Sequence, residues 1–338
     1  MSHKRMRTDE EPTATIDEND GQTSSTPSSR KPHDRLWFPE GNVVLGTSSY
    51  LFRVHKSMLS MHSSVFKDMF ESHVVDESKS LHSVDGESFD GLPLVNLLGD
   101  EDEDVVCLLR AIYERSFYSP DDDSVPVVVI TGLLVLSTKY DMPDIRKDVI
   151  KQLSRQYPSK LDALDNLGGN APIKHRFRHE TWAILRAVLK TGVTSMLPTI
   201  YYACSGYGMS ALFDSYPDFL DFQSLRTILE GRERLLNKLL QVLSTYVNAS
   251  SDCLIQHGQG RSYVEAVMYD PELHEFIEDN TDITSLSGKK LLEEWPARVC
   301  KECKGDVMRV VDEERRSVWE SLPYCYELPD WTTEHSNE

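Results

Sequence analysis

Residues 42–71 read NVVLGTSSYLFRVHKSMLSMHSSVFKDMFE, a stretch in which the hydrophobic period changes from that of strands to that of helices. Two short apolar runs, residues 43–45 and 51–54, are separated by small polar residues that suit a tight turn. Two helical faces follow, formed by Met58, Leu59 and Met61 and then by Val65, Phe66, Met69 and Phe70. The sequence therefore predicts a β-hairpin and two short helices, the second capped by Ser63 or Ser64.

A further helix follows at a distance. The acidic run 100–104 precedes the apolar residues Val105, Cys107, Leu108, Leu109 and Ile112 and predicts the start of a helix. Acidic side chains at the start of a helix are stabilised by its dipole, so we interpret the acidic run as part of the helix start.

The motifs in this order resemble a BTB/POZ domain. They are V-H-K-x-x-L at residues 54–59 and S-x-V-F-x-x-M-F at residues 63–70, while L-W-F-x-x-G-N-V-V-L at residues 36–45 resembles uncharacterised BTB proteins of mushroom-forming fungi. The resemblance covers residues 35–157 and implies an α+β fold, a short mixed sheet capped by helices. It places the third strand at residues 94–97 and the next helix at residues 104–117. It gives structural positions to His55, Lys56, Leu59, Val65, Phe66, Met69 and Phe70.

Residues 126–130, PVVVI, favour a strand by composition alone. The resemblance places a helix there, and Ser124 as N-cap with Pro126 in the first turn supports the helix, which we adopt. Residues 143–156 repeat apolar side chains at four-residue spacing, with Asp141 available as cap, and predict a second helix. Together these two helices would close the domain as a helical hairpin.

Four segments are predicted along the chain. Residues 1–34 are polar and rich in Ser, Thr and Pro, so we expect a disordered tail, residues 35–157 form the BTB/POZ domain, and residues 329–338 form a flexible tail. Residues 158–328 are predicted to be all-helical, with a final helix over residues 297–320. The apolar stripes of this half consist of Trp182, Leu185, Val188 and Leu189, of Leu235, Leu236, Leu239, Leu240, Leu243 and Val247, and of Val299, Val307, Val310, Val311 and Val318.

Composition limits the possible partners and compartments. A net charge of −19 argues against binding of nucleic acid or of an anionic membrane. Six irregularly spaced cysteines and a polar N-terminus without an apolar run predict an intracellular protein of the cytoplasm, the nucleus or both. The basic residues of the segment 4–7, KRMR, are either a nuclear-import signal or a solvated terminus.

Motifs of catalysis are missing from the sequence. It contains no P-loop, no dinucleotide-binding fingerprint, no H-E-x-x-H and no G-x-S-x-G, and Gly206 to Ser210 read as a turn between helices. We therefore expect no enzymatic activity and no cofactor.

One C-x-x-C pair, Cys300 and Cys303, invites a metal interpretation. Conceivable additional ligands elsewhere in the chain are Cys253, Cys325, His257 and His274. A structural zinc site needs four ligands and commonly uses two such pairs, whereas small core residues three apart on a helix also share a face. We favour the core interpretation and expect no metal.

The resemblance also suggests a partner. In BTB adaptors of cullin ubiquitin ligases, a hydrophobic-x-acidic triplet follows the second helix, and Val75, Asp76 and Glu77 stand at that position. We expect these residues to bind a protein partner, a cullin scaffold in the leading hypothesis. The alternative is a structural oligomerisation or transcriptional co-regulator protein, although Asn42 replaces the aspartate that BTB repressors use. Homodimerisation through the BTB domain stays open, because a tail replaces an additional N-terminal strand.

Overall fold

The computed structural model describes residues 30–74, 88–168, 178–256, 282–294 and 299–331. The first part of the chain builds a five-stranded mixed sheet with helices, and the remainder is helical, as the sequence predicts. The strands are β1 (Lys31–Trp37), β2 (Val43–Gly46), β3 (Tyr50–Val54), β4 (Ser88–Phe89) and β5 (Leu92–Asn96), in the spatial order β1-β3-β2-β5-β4.

The predicted hairpin is confirmed. Strands β2 and β3 pair antiparallel, with Leu45 opposite Phe52, and β5 joins the other edge of β2 in parallel, with Val44 opposite Leu94. All four residues of β2 are buried because the strand lies between two others and is covered by helices. The predicted third strand at residues 94–97 corresponds to β5.

Strand β1 was not predicted. It pairs in parallel with β3 of the same chain, with Lys31 opposite Tyr50, and its first residues fall within the segment expected to be a disordered tail. Its outer edge carries Pro32, Asp34 and Arg35, which are residue types that discourage further strand pairing at a sheet edge. An N-terminal strand is therefore present in this fold.

Five helices complete this part of the chain. The predicted positions of all five are confirmed within a few residues, including a helix where residues 126–130 might have formed a strand. They are α1 (Lys56–His62), α2 (Ser64–Val74), α3 (Asp102–Tyr113), α4 (Val127–Lys139) and α5 (Pro143–Gln156).

Two predicted helix caps are wrong. The N-cap of α4 is Pro126, whereas the Ser124 hydroxyl donates a hydrogen bond to Asp122, 2.6 Å away. The N-cap of α5 is Met142, because the Asp141 carboxylate instead accepts a hydrogen bond from the Ser64 hydroxyl at the start of α2. In both places a neighbouring polar group outside the helix engages the expected cap.

The described residues after 157 hold helices and no strand. These helices are α6 (Leu161–Leu167), α7 (Arg178–Thr191), α8 (Leu197–Ser205), α9 (Met209–Asp214), α10 (Phe222–Gln256), α11 (Gly288–Glu294), α12 (Lys304–Glu320) and α13 (Leu322–Cys325), with a 3-10 turn at Ile283–Leu286. Residues 206–208 form the turn between α8 and α9 that the sequence predicts.

Most residues of the predicted apolar stripes are buried, but Leu189 and Leu240 are exposed. The final helix begins at Lys304 rather than at residue 297, because residues 301–303 form a turn. The predicted flexible tail is also too long by at least three residues, since the indole of Trp331 stacks on Trp319 and donates a hydrogen bond to the carbonyl of Glu320.

One hydrophobic core runs through both parts of the chain. Helix α4 packs against α3 and α5 of the first part and against α7 of the helical half, so it joins the two parts. In the helical half, the long helix α10 packs along α12 and against α8. The fold thus connects the sheet to the C-terminal helices through buried helix faces rather than through a linker alone.

Candidate interaction surface and cysteine cluster

His55 lies at the junction between β3 and α1, where the sequence places it. Its backbone amide donates a hydrogen bond to the hydroxyl of Tyr113, 3.0 Å away, and its ring nitrogen Nδ1 lies 3.3 Å from the same hydroxyl. Phe38 stacks on Tyr113, with ring centroids 4.7 Å apart. These contacts fix the turn into α1. Packing and hydrogen bonding therefore explain why a histidine stands at this position.

Lys56, the first residue of α1, is held in place through its backbone amide. Its amide donates a hydrogen bond to the side-chain oxygen of Asn42, 2.8 Å away, while its ammonium group lies over the ring of Phe70. Asn42 therefore satisfies one of the amides that a helix start leaves without an intrahelical partner. An aspartate at this position has the same acceptor oxygen, so its replacement by Asn preserves this structural contact.

Helix α2 is fixed in the core by its aromatic residues. Leu59 of α1 and Phe66 and Phe70 of α2 are buried, while Val65 and Met69 are partly buried against the same core. The Phe66 ring stacks on Tyr140 at 4.6 Å, and Ser63 caps the helix by accepting a hydrogen bond from the Phe66 amide at 3.0 Å.

The predicted partner-binding residues Val75, Asp76 and Glu77 lie outside the described residues. Helix α2 ends at Val74, so the triplet follows directly from a helix that the core holds in place.

The acidic residues before α3 take part in structural contacts. Asp102 accepts a hydrogen bond from the amide of Ser49 at 3.1 Å, and Asp100 pairs with the ammonium group of Lys139 at 2.5 Å. The Tyr140 hydroxyl also donates to Asp100, and burial together with this hydrogen bond raises the pKa of Tyr140. The acidic run therefore fastens α3 and α4 to the sheet in addition to starting a helix.

Two apolar side chains near the sheet are exposed to solvent. Met61 on α1 is 67% exposed and Leu98, just after β5, is 79% exposed. Large apolar side chains at the surface contribute to protein interfaces when they lie together in a patch.

A longer exposed apolar segment occurs in the helical half, around α9 and the loop before α10. Its exposed side chains are Met209, Phe213, Tyr216, Phe219 and Phe222. Aromatic residues and methionine are enriched in the buried centres of protein interfaces. Sequence reasoning assigned no function to this segment, although its regularly recurring aromatic residues between polar ones were a usable signal.

A surface cavity of about 400 Å³ lies where α6 begins and α12 ends. Its walls include both rings of the Trp319–Trp331 stack together with Lys160, Asp162 and Arg316. Positive and negative groups are mixed in this lining, so the cavity shows no preference for a ligand of one charge.

Three cysteines converge at the other end of the α10–α12 pair. Cys253 lies near the end of α10, and Cys300 and Cys303 lie in the turn before α12. Their three sulfur atoms are all within 4.8 Å of one another, and no disulfide bond joins them. The expectation that Cys300 and Cys303 share a helix face is wrong, because the pair precedes the helix. His257 and His274, the other conceivable ligands, lie outside the described residues, and Cys325 lies elsewhere, beside Arg234.

The thiols of this cluster interact with one another. Desolvation raises the pKa of the Cys253 thiol, but hydrogen bonds from the Cys300 amide, from Cys303 and from the Cys300 thiol outweigh it, and the pKa is lowered overall. Hydrogen bonds with the Cys300 and Cys253 thiols, in that order, raise the pKa of Cys303 to about 12. The hydrogen bonds within the cluster thus shift the pKa values of Cys253 and Cys303 in opposite directions.

Comparison with known proteins identifies the first part of the chain. The family model for the BTB/POZ domain matches residues 42–157. No curated protein and no solved structure matches this chain, so the resemblance to fungal BTB proteins stays a prediction. Among the residues that the structure describes, no helix is both long and apolar enough to cross a membrane. Residues 42–157 therefore form a BTB/POZ domain, a protein–protein interaction module, which this chain carries ahead of a helical C-terminal half.

Proposed function

We propose that this protein is an adaptor whose BTB/POZ domain docks onto a cullin scaffold and whose helical half, residues 158–328, binds a second protein. The BTB/POZ match to residues 42–157 carries this proposal, because domains of this family act through protein contacts. The cullin is favoured among partners by the triplet Val75, Asp76 and Glu77, which stands where cullin adaptors carry a hydrophobic-x-acidic motif.

The position of the triplet supports a docking role. It follows directly after Val74, the last residue of α2, and α2 is anchored in the core through Phe66 and Phe70. A binding segment that continues from an anchored helix loses less conformational freedom on association than one that continues from a mobile region. In this proposal Val75 fills an apolar pocket of the scaffold, and Asp76 and Glu77 pair with basic groups around it.

The exposed apolar segment from Met209 to Phe222 supports a second binding surface in the helical half. It belongs to the part of the chain that the BTB/POZ match does not cover, so the two proposed surfaces are separate in sequence. Because α4 packs against α7, a partner on the helical half would be held in a defined orientation relative to the BTB/POZ domain.

Binding of the full chain to a cullin N-terminal domain tests the proposal. Isothermal titration should give a dissociation constant in the micromolar range or tighter, that is about −8 kcal/mol or more favourable. The double variant Val75→Ala, Asp76→Lys should weaken binding at least about tenfold, since it removes an apolar anchor and reverses a charge at the contact.

A matched control makes the same two changes elsewhere in the domain. The variant Val128→Ala, Asp148→Lys alters one exposed apolar and one exposed acidic residue, on α4 and α5. It should bind like the wild type. Absence of binding by correctly folded wild-type protein, or equal weakening in both double variants, would reject the cullin proposal.

Oligomerisation is the second candidate, favoured by the exposed Met61 and Leu98 near the sheet. The charged, proline-containing edge of β1 argues against dimerisation by strand pairing, so a dimer would use these apolar side chains. Light scattering on the full chain decides this point. A dimer mass that falls to a monomer mass in Met61→Glu, Leu98→Glu supports oligomerisation, and a monomeric wild type excludes it.

A further inference from the structure

The cysteine cluster is built from parts of the chain that are far apart in sequence. Cys253 and Cys300 are separated by 47 positions, and they meet because α10 and α12 pack side by side. Cys253 is only 3% exposed, whereas Cys300 and Cys303 are partly exposed. Among the described residues, the cluster is thus buried on the α10 side and partly exposed on the side of the C-x-x-C pair.

The spacing of the sulfur atoms fits a tetrahedral metal ion. With zinc–sulfur bonds of about 2.3 Å, ligand sulfurs of a tetrahedral site are about 3.8 Å apart. The three sulfurs here lie within 4.8 Å of one another, so closure around an ion needs an approach of about 1 Å at most. A disulfide would join only two of the three and leave the third thiol without a role.

The turn that carries two of the cysteines is held by backbone hydrogen bonds. The amide of Lys304 donates to the carbonyl of Cys300 at 3.2 Å, and the amide of Val307 donates to the carbonyl of Cys303 at 2.9 Å. C-x-x-C is the spacing at which zinc sites commonly take two ligands from one turn. Cys300 and Cys303 are therefore held in a fixed turn, and the thiol of Cys253 near the end of α10 lies beside them.

A backbone amide and a helix start also lie at the cluster. The amide of Cys300 donates a hydrogen bond to the sulfur of Cys253 at 3.4 Å, the kind of outer contact that orients metal-bound thiolates. Cys303 is the N-cap of α12, so the positive end of that helix dipole lies at the cluster.

We propose that Cys253, Cys300 and Cys303 bind one zinc ion, which ties the end of α10 to the start of α12. Binding releases the thiol protons of the three ligands to solvent, and zinc is neither oxidised nor reduced. Among the described residues no fourth ligand atom joins the three sulfurs. The site closes the segment between Cys253 and Cys300 and so fixes one end of the helical half.

Metal content and cobalt spectroscopy of the full chain test this site. Protein purified under reducing conditions without chelator should carry about one zinc per chain by elemental analysis, and the metal-free protein should take up one Co²⁺ with thiolate-to-cobalt charge-transfer absorption. Cys253→Ser and Cys300→Ser should each lower Co²⁺ affinity at least about 100-fold, because losing even an outer contact of a metal ligand costs 10–100-fold.

Cys325→Ser is the matched control. Cys325 is a buried cysteine whose carbonyl accepts a hydrogen bond from Arg234, about 28 Å along α10 from Cys253. This variant should bind Co²⁺ like the wild type. If a cluster variant fails to fold, the wild-type titration alone decides. A wild-type protein that gives no charge-transfer band, or a band unchanged in Cys253→Ser, would overturn the proposal.

Discussion

The guanidinium group of Arg315 in α12 donates a hydrogen bond to the carboxylate of Asp165 in α6, 150 residues earlier in the chain. Arg315 is 3% exposed, and a second carboxylate, that of Asp312, lies 3.1 Å from it. The side chains of the two acids are more than a third exposed. The contact between Arg315 and Asp165 therefore joins α6, the first helix after the BTB/POZ domain, to α12, the last long helix. Because the two acids stay partly exposed, most of the desolvation cost falls on the arginine.

Because the arginine is buried and the acids are not, removing an acid should destabilise the protein more than removing the arginine. Asp165→Ala leaves a buried arginine with only Asp312 and should lower the free energy of unfolding by about 2–3 kcal/mol, somewhat below the roughly 3–5 kcal/mol of a fully uncompensated charge. Arg315→Met leaves two solvated acids and an apolar side chain of similar length, and should cost about 1 kcal/mol. Urea unfolding of each variant measures both values.

The neighbouring residue Arg316 provides the control for these variants. It is exposed and lies 3.8 Å from Asp162, so Arg316→Met should change the free energy of unfolding by less than about 0.5 kcal/mol. A larger cost for Arg315→Met than for Asp165→Ala would show that the buried charge is not what makes this contact important.

Replacement by alanine should change stability in opposite directions at two helix glycines, Gly231 and Gly305. A Cβ atom on Gly231 in α10 would lie 2.1 Å from the ring of Tyr326, which is buried and stacks on Tyr201. Gly231→Ala should therefore destabilise the protein by about 1–3 kcal/mol, despite the better helix propensity of alanine.

Gly305, in the first turn of α12, has open space around its Cβ position. Gly305→Ala should stabilise the protein by about 0.5 kcal/mol, since only the helix propensity changes. Thermal unfolding of the two variants compares them directly. Equal signs for the two substitutions would contradict the packing of Tyr326 on α10.

The partly buried carboxyl group of Asp104 should make the stability of the folded protein depend on pH. Burial raises the pKa of its carboxyl group, with Glu101, Asp100 and Glu103 adding to the shift and Lys190 opposing it. A folded-state pKa above the ordinary value of 3.8 means that ionisation of Asp104 opposes folding. Its penalty is present above the folded-state pKa and is lost as the pH falls toward the ordinary value.

Asp104→Asn should therefore raise the melting temperature at pH 7, and this advantage should shrink as the pH is lowered to about 4. Glu103→Gln, at an exposed position of the same turn, is the control for removing one acidic charge. Melting curves of both variants between pH 4 and pH 7 give the comparison. An advantage of Asp104→Asn that grows toward low pH would contradict the sign of the shift.

Local patterns were sufficient to predict the hairpin and the helices α1, α2, α3 and α5, whereas α4 was predicted from the resemblance to BTB/POZ domains. Apolar periods of two and of 3.6 residues act within a short segment, so they are visible in the sequence. For residues 126–130 composition favoured a strand, and the buried position of Ile130 in α4 shows that tertiary packing decided the outcome.

Features that depend on distant parts of the chain were missed. Strand β1 has no alternating pattern and is a strand because β3 offers a free edge. Asp141 is a good cap by residue type, yet it accepts a hydrogen bond from Ser64, which only the folded chain brings near, while Ser124 bonds locally to Asp122. Likewise, the approach of Cys253 to Cys300 depends on the packing of α10 against α12, which no local pattern reveals.

Hydrogen exchange of the full chain, with and without a saturating cullin N-terminal domain, tests the adaptor proposal most directly. The proposal predicts slower exchange in peptides that contain residues 71–79, and unchanged exchange in peptides from Met209 to Phe222, which are assigned to the second partner. Unchanged exchange at residues 71–79 under saturating cullin, or protection confined to the helical half, would contradict docking through the BTB/POZ domain.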